Sequence, residues 1–229
     1  MAGKKYRAVA EKIEKRPYAL NEAIPFLQAN KVSRFNETVE VHLNLGVDPR
    51  HADQMVRGTV LLPHGLGIEK KVLVIAAGAK VQEALDAGAD FAGGQEYIDR
   101  IVKKGWLGFD AVVATPDMMR FVAKCGRILG PRGLMPNPKA GTVTMDVAEA
   151  VRQVKAGKVE FRVDRGAVIH APVGKLAFES SKLTENAETL IAAVLKARPQ
   201  AAKGRYLLKA SICSTMSPAL TLNVAELSG

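Results

Sequence analysis

The chain has 229 residues, with 33 Lys+Arg against 23 Asp+Glu and a formal net charge of +10. Hydrophobic residues make up 48% and charged residues 24%, which excludes a disordered or collagenous chain and suits one or two domains with real cores. The positive excess points to a polyanionic partner such as nucleic acid. No apolar run approaches the roughly 18–20 residues of a membrane span. The charged N-terminal stretch has no apolar segment behind it, unlike a secretory signal. Cys125 and Cys213 are the only cysteines, too few for a disulfide scaffold, so a reducing cytoplasm is expected and no membrane partner.

In chain order, residues 4–16 read as an amphipathic helix with Tyr6, Val9 and Ile13 on one side. Asn21 caps a second helix over 22–30, with Pro25 in its first turn. Residues 37–45 (ETVEVHLNL) alternate strictly, sending Val39, Val41, Leu43 and Leu45 to one face and Thr38, Glu40, His42 and Asn44 to the other. That is a half-buried strand. A second strand at 56–62 ends in the turn-rich PHGLG of 63–67.

The pattern then changes. Residues 71–78 (KVLVIAAG) form a nearly continuous apolar run, as does the start of 110–116, and both suit strands covered on two faces. Helices are expected over 80–88, 93–105, around 117–125 and over 146–156, with Gly88, Gly105 and Gly157 as stops. Strand–helix alternation of this kind implies an α/β domain with a mainly parallel sheet. Alternation returns at 158–163 and 167–174, followed by a helix near 181–197 and strands at 205–213 and 219–224. The expected organisation is a discontinuous α+β domain, 1–66 plus 159–229, interrupted by an α/β domain of 67–158.

Candidate sites are few. The stretch GRILGPRGLMPNPKAGTVT (126–144) combines glycines, prolines and the basic Arg127, Arg132 and Lys139, the makings of a phosphate-contacting loop or of an ordered surface loop. It lacks GxxxxGK[ST], and no GxGxxG follows either buried strand, so a nucleotide-dependent enzyme is the weaker alternative. The four histidines share no metal-ligand spacing, no GxSxG exists, and neither a catalytic site, a metal nor a cofactor is expected. In SRFNET (33–38), Phe35 beside Arg34 suits either base stacking or a core position. In STMSP (214–218), Thr215 and Ser217 offer hydroxyls and Met216 an apolar arm, or else form an ordinary hairpin turn. His170 lies in an alternating strand.

Residues 33–67, FDAVVATPDMM (109–119), the 126–144 stretch and STM (214–216) closely resemble the bacterial ribosomal protein L-one family, from end to end and in order. The resemblance implies an outer α+β domain that binds RNA and an inserted Rossmann-like α/β domain. It implies a monomeric, non-enzymatic constituent of the large ribosomal subunit, cytoplasmic on the ribosome, bound to large-subunit rRNA in the mobile stalk. It further implies help in releasing deacylated tRNA from the exit site, and repression of the protein's own operon by binding its mRNA. Carried over residue by residue, the contact surface falls on Arg34, Phe35, Glu37, Thr38, His170, Ser211, Thr215, Met216 and Ser217. Arg127, Arg132 and Lys139 form a secondary basic loop. Two positions depart from the family pattern: Ser217 stands where Gly is usual, and the turn before Val168 reads VDRGA.

Overall fold

A computed structural model describes residues 3–227. In chain order the elements are α1 (Lys4–Ala10), α2 (Leu20–Ala29), β1 (Thr38–Leu45), β2 (Arg57–Leu61), β3 (Val72–Ile75), α3 (Ala79–Asp86), β4 (Phe91–Gly93) and α4 (Gln95–Lys104). There follow β5 (Ala111–Ala114), α5 (Met119–Val122), α6 (Gly126–Leu129), α7 (Val147–Lys155), β6 (Lys158–Arg162) and β7 (Val168–Lys175). The chain closes with α8 (Ser180–Lys196), β8 (Leu207–Ser214), β9 (Leu220–Thr221) and α9 (Val224–Leu227). Internal contacts gather into two compact units, Met1–Gly67 with Val159–Gly229, and Ile68–Lys158. No described helix is long and apolar enough to cross a membrane.

The outer unit is built on a four-stranded sheet in the order β7-β1-β8-β9. Its pairings are antiparallel. The alternation in β1 is decisive: Val39, Val41, Leu43 and Leu45 are buried while their neighbours stay partly open. Opposite them on the same face, Ile169 and Ala171 of β7 and Ala210 and Ile212 of β8 complete an apolar layer. Against it lie Ala23, Ile24 and Leu27 of α2 and Leu183, Ala187, Leu190, Ile191 and Val194 of α8. Each fully buried Leu or Ile contributes on the order of 1.5–3 kcal/mol. Strands β2 and β6 form a separate pair.

One polar side chain enters this layer. Asn186 is buried on α8, where its amide donates to Gly65 O at 3.0 Å and Val173 O at 2.8 Å and accepts from His64 N at 3.1 Å. It thereby fastens the 63–67 turn to helix and sheet. At Gly174 the β1–β7 register slips beside Val39, and φ is +152°. A Cβ there would meet Leu183 Cδ2 at 2.9 Å, so only glycine fits.

The inserted unit holds a three-stranded parallel sheet, β4-β3-β5. Every residue of β3 is buried. Val72 and Val74 pack with Ala84, Val147, Val151 and Val154 of α3 and α7, while Leu73 and Ile75 pack with Ile98, Ile101, Val122 and Leu129 on the other side. Asp146 starts α7 by accepting the Glu149 amide at 3.1 Å. Gly105 ends α4 in the left-handed conformation, φ +61°.

Several local expectations are corrected. Helix α1 stops at Ala10 rather than 16: only Val9 is buried, too little to hold a longer helix, and Pro17 restricts the residue before it. Helix α2 starts at Leu20 with Ala19 as its cap, which puts Pro25 in the second turn. The strand β4 was not expected, because three residues are too short to show a period. Beyond β5, the helical run continues through Pro116–Met118, α5, Ala123–Cys125 and α6 as far as Leu129. The last expected strand, 219–224, ends at Thr221, because Asn223 accepts the Ala225 amide and caps a helical turn.

Candidate nucleic-acid interface

The face of the outer sheet turned away from α2 and α8 is polar. Directly paired residues share a face, so the register sets His170, His42, Ser211 and Thr221 in one row across four strands. Glu40 and Cys213 form the next row, and Thr38 with Lys175 the one beyond. Lys175 Nζ donates to Thr38 Oγ1 at 2.9 Å. From Thr38 to His42 the face extends about 13 Å along the strand.

At the Thr38 end, two loops meet on one carboxylate. Glu37 is 0% exposed. Its Oε1 accepts the Ser33 amide at 2.8 Å, and its Oε2 accepts the Ser214 hydroxyl and the Met216 amide, the latter at 3.2 Å. Burial alone would raise its pKa; the hydrogen bonds from Ser214, Ser33 and Met216 outweigh this and lower it to about 2. The anion therefore clamps the 33–36 loop to the 214–217 turn. Thr215 completes the clamp: its hydroxyl accepts the Thr38 amide at 2.9 Å and its amide donates to Thr38 O at 3.0 Å.

Held this way, Phe35 is 54% exposed and Met216 49% exposed, and Arg34 and Thr215 also face solvent. Phe35 is thus a surface ring and not a core one. Glu37, expected among the RNA contacts, is wholly buried, and its carboxylate meets Ser33, Ser214 and Met216. Ser217 takes the place of the usual Gly without strain, since its φ is not positive. Its hydroxyl accepts the Ser214 amide at 2.8 Å and closes the turn. The VDRGA turn is tied by Asp164, whose Oδ1 accepts the Gly166 and Val168 amides, each at 2.8 Å. Ala167 there takes φ +61°, unusual for a residue with a Cβ.

His170 and Ser211 lie at the other end of the face, on either side of His42. The two imidazoles meet Nδ1 to Nδ1 at 2.8 Å, so one of them donates and the other accepts. His42 Nε2 is 3.1 Å from Cys213 Sγ, and His170 Nε2 is 3.4 Å from Asp164 Oδ2. Burial and the neighbouring His170 push the His42 pKa down, against the pull of Glu40. Burial and Glu40 both push the Cys213 thiol up. His42 was not singled out in the sequence, although its alternation already set it on the solvent face. What the sequence lacks is the cross-strand register that makes it the neighbour of both His170 and Ser211.

Arg127, Arg132 and Lys139 belong to the inserted unit, all exposed. The 126–144 segment is ordered rather than an open cradle. Asn137 accepts the Lys139 amide at 2.8 Å, and Thr142 and Thr144 bond Ala114 through the backbone, so Val143 runs alongside β5. At the start of α4, where α/β folds hold phosphates, the Gly94 amide is taken by the Glu96 carboxylate at 3.0 Å. A negative group at that place repels an anion. Among the described residues no three of His, Cys, Asp or Glu converge as metal ligands.

The comparisons with known proteins place this split α+β unit and its inserted α/β unit among ribosomal proteins of the large subunit. Residues 27–218 match the family model described as "Ribosomal protein L1p/L10e family", and the chain belongs to that family. It is 59% identical over 226 residues to the large ribosomal subunit protein uL1 of Solibacter usitatus (strain Ellin6076), an alignment covering 99% of this chain and 95% of that protein.

Proposed function

We propose that the protein binds large-subunit rRNA directly through the open face of its outer unit and forms the mobile stalk there. In that place it helps deacylated tRNA leave the exit site, and it represses its own operon by binding an mRNA segment that presents the same RNA shape. It works in the cytoplasm on the ribosome, is a monomer when free, and uses no cofactor. The observation that carries this reading is the Glu37 clamp. It fixes one exposed ring, one thioether arm and the Thr215 hydroxyl side by side, next to a row of imidazoles and hydroxyls. Folded RNA is recognised by shape, 2′-OH and phosphate contacts more than by base edges, and a stiff surface of small polar groups suits that task.

Titration of the intact protein with a structured rRNA fragment tests it. Phe35→Ala is expected to weaken binding by about 1–3 kcal/mol if the ring stacks on a base. Thr215→Val removes the hydroxyl that accepts the Thr38 amide, so it loosens the clamp as well as the polar surface, and is expected to cost about 1 kcal/mol or more of RNA affinity. Both variants must melt as the parent does. Unchanged affinity in both, or saturable binding of ATP, GTP or NAD instead of RNA, would contradict the reading.

A further inference from the structure

Four side chains on the polar face of the outer unit form a chain from β8 across β1 to β7 and the turn before it. Cys213 Sγ stands 3.1 Å from His42 Nε2, His42 Nδ1 stands 2.8 Å from His170 Nδ1, and His170 Nε2 stands 3.4 Å from Asp164 Oδ2. Both ends of the chain set the same polarity. The Val168 amide, then the Gly166 amide and His170, hold the Asp164 carboxyl below its ordinary pKa against slight burial, so it is ionised and can only accept. Its Oδ1 is taken by those two amides, and the turn thereby fixes Oδ2. His170 therefore carries its proton on Nε2 and accepts at Nδ1. At the other end, burial and Glu40 push the Cys213 thiol up, so it keeps its proton and donates. One arrangement is left to His42: its Nδ1–H donates to His170, and its Nε2 accepts from Cys213.

This polarity decides what the surface offers. His170 is exposed and His42 half-buried. Both ring nitrogens of His170 are occupied, and the two rings meet edge to face, with centroids 4.9 Å apart and planes at 62°. The exposed ring turns a flat, uncharged surface outwards. A proton added to either ring sets two hydrogens between the Nδ1 atoms, unless His42 moves its own to Nε2, where the thiol already points one. The charged groups around the pair do not relieve this. Glu40, in the next row with Cys213, favours a proton on His42; Lys209, one row further on the other side, opposes it. Lys175 lies two rows away, bonded to Thr38. Burial and His170 prevail over Glu40 and hold His42 below the ordinary 6.5. The chain is thus complete above about 6.5 and is lost as pH falls through the lowered value.

We propose that His42 is a positioning residue of the RNA face: backed by Cys213, it holds the exposed His170 in one tautomer and one direction, so that the ring meets RNA by its uncharged surface and not through a nitrogen. This role rests on the reading of the outer face as the RNA surface. A fixed flat ring lies against a base or a ribose of one RNA shape. A loose, protonated ring adds only a charge that any phosphate answers. Protonation therefore trades specificity for general attraction.

The test uses the intact protein. Without RNA, NMR of isotope-labelled imidazoles at about pH 7.5 should find His42 protonated on Nδ1 and His170 on Nε2. The opposite tautomers, or rings exchanging between both, would overturn the proposal. Two variants then separate position from bulk. His42→Asn sets an amide near the place of Nδ1 and restores a donor to His170, whereas His42→Gln reaches towards Cys213 and leaves His170 Nδ1 without a partner. Melting curves check that both are folded during titration with the structured rRNA fragment and a scrambled RNA. His42→Gln should lose about tenfold in affinity for the structured fragment and little for the scrambled one, while His42→Asn stays within about threefold of the parent. Equal effects in the two variants would mean a merely structural residue. The parent's preference for the structured fragment should shrink as pH falls from about 7.5 to about 5.5. In His42→Asn the fall should be shallower, because the amide can turn its oxygen towards a protonated ring; parallel profiles would contradict the proposal. A parent with no preference for the structured fragment at any pH overturns the RNA reading itself, whereas a parent that binds no better than His42→Gln overturns this role alone.

Discussion

Glu37 shows how a single buried charge can set a surface it does not belong to. Its carboxylate meets three donors and no acceptor: the Ser33 amide, the Ser214 hydroxyl and the Met216 amide. Glu37→Gln keeps the length but turns an NH2 group towards donors. A loss of about 2–3 kcal/mol is expected in urea unfolding, with weaker RNA binding although residue 37 is not exposed. The pH dependence has a definite sign. With a folded pKa of about 2 against an ordinary 4.5, the charge stabilises the fold fully above about 4.5. That contribution fades as pH falls towards 2. The parent should therefore show a steeper acid decline between those values than Glu37→Gln; equal slopes would mean that the clamp is not held by charge. Ala167 offers the reverse case. At φ +61° a side chain costs about 1–2 kcal/mol, partly offset in glycine by the greater freedom of the unfolded chain. Ala167→Gly should thus raise stability by roughly 0.5–1 kcal/mol, and a lower melting temperature would contradict this.

The elements differ in how openly the sequence announces them. The strict alternation of 38–45 sorts core from surface without ambiguity, and the four-residue apolar run of β3 announces a strand covered on both sides. The clamp was not legible in the same way. Glu37 reads as the first residue of the 37–45 strand and, by resemblance, as an RNA contact; what buries it is a turn 177 residues away in the chain. The His42–His170 apposition likewise depends on a register that no periodicity encodes. Strand β4 escaped because three residues carry no period, and α9 because Asn223 stops a strand by capping a helical turn. Asn186 is a further case: within the apolar stripe of α8 it looks like a surface position, yet it ties Gly65, Val173 and His64 together. Asn186→Leu would leave two carbonyls and one amide without that partner, and should cost about 2–3 kcal/mol by chemical denaturation. A loss below about 0.5 kcal/mol would mean that the 63–67 turn does not depend on it.

For the whole molecule, each unit has its own core. The outer one joins α2 and α8 to an antiparallel sheet, and the inserted one wraps two layers of helix around a parallel sheet. The crossings between them are single strands of chain at Gly67–Ile68 and Lys158–Val159. Lys70 Nζ donates to Lys158 O at 3.1 Å, so the two crossings lie close together. Units with separate cores and adjacent crossings can be parted without breaking either fold. The proposed function assigns specific recognition to the Glu37 clamp and the His170–His42–Ser211 row of the outer unit. The most direct measurement joins Met1–Gly67 to Val159–Gly229 through a short Gly/Ser linker and compares it with Ile68–Lys158 alone, titrating each with the structured rRNA fragment against a scrambled RNA. The joined outer unit should retain most of the specific affinity, and the insert should bind both RNAs weakly and alike. Specific affinity retained by the insert and lost from a folded outer unit would contradict the placement of the RNA site.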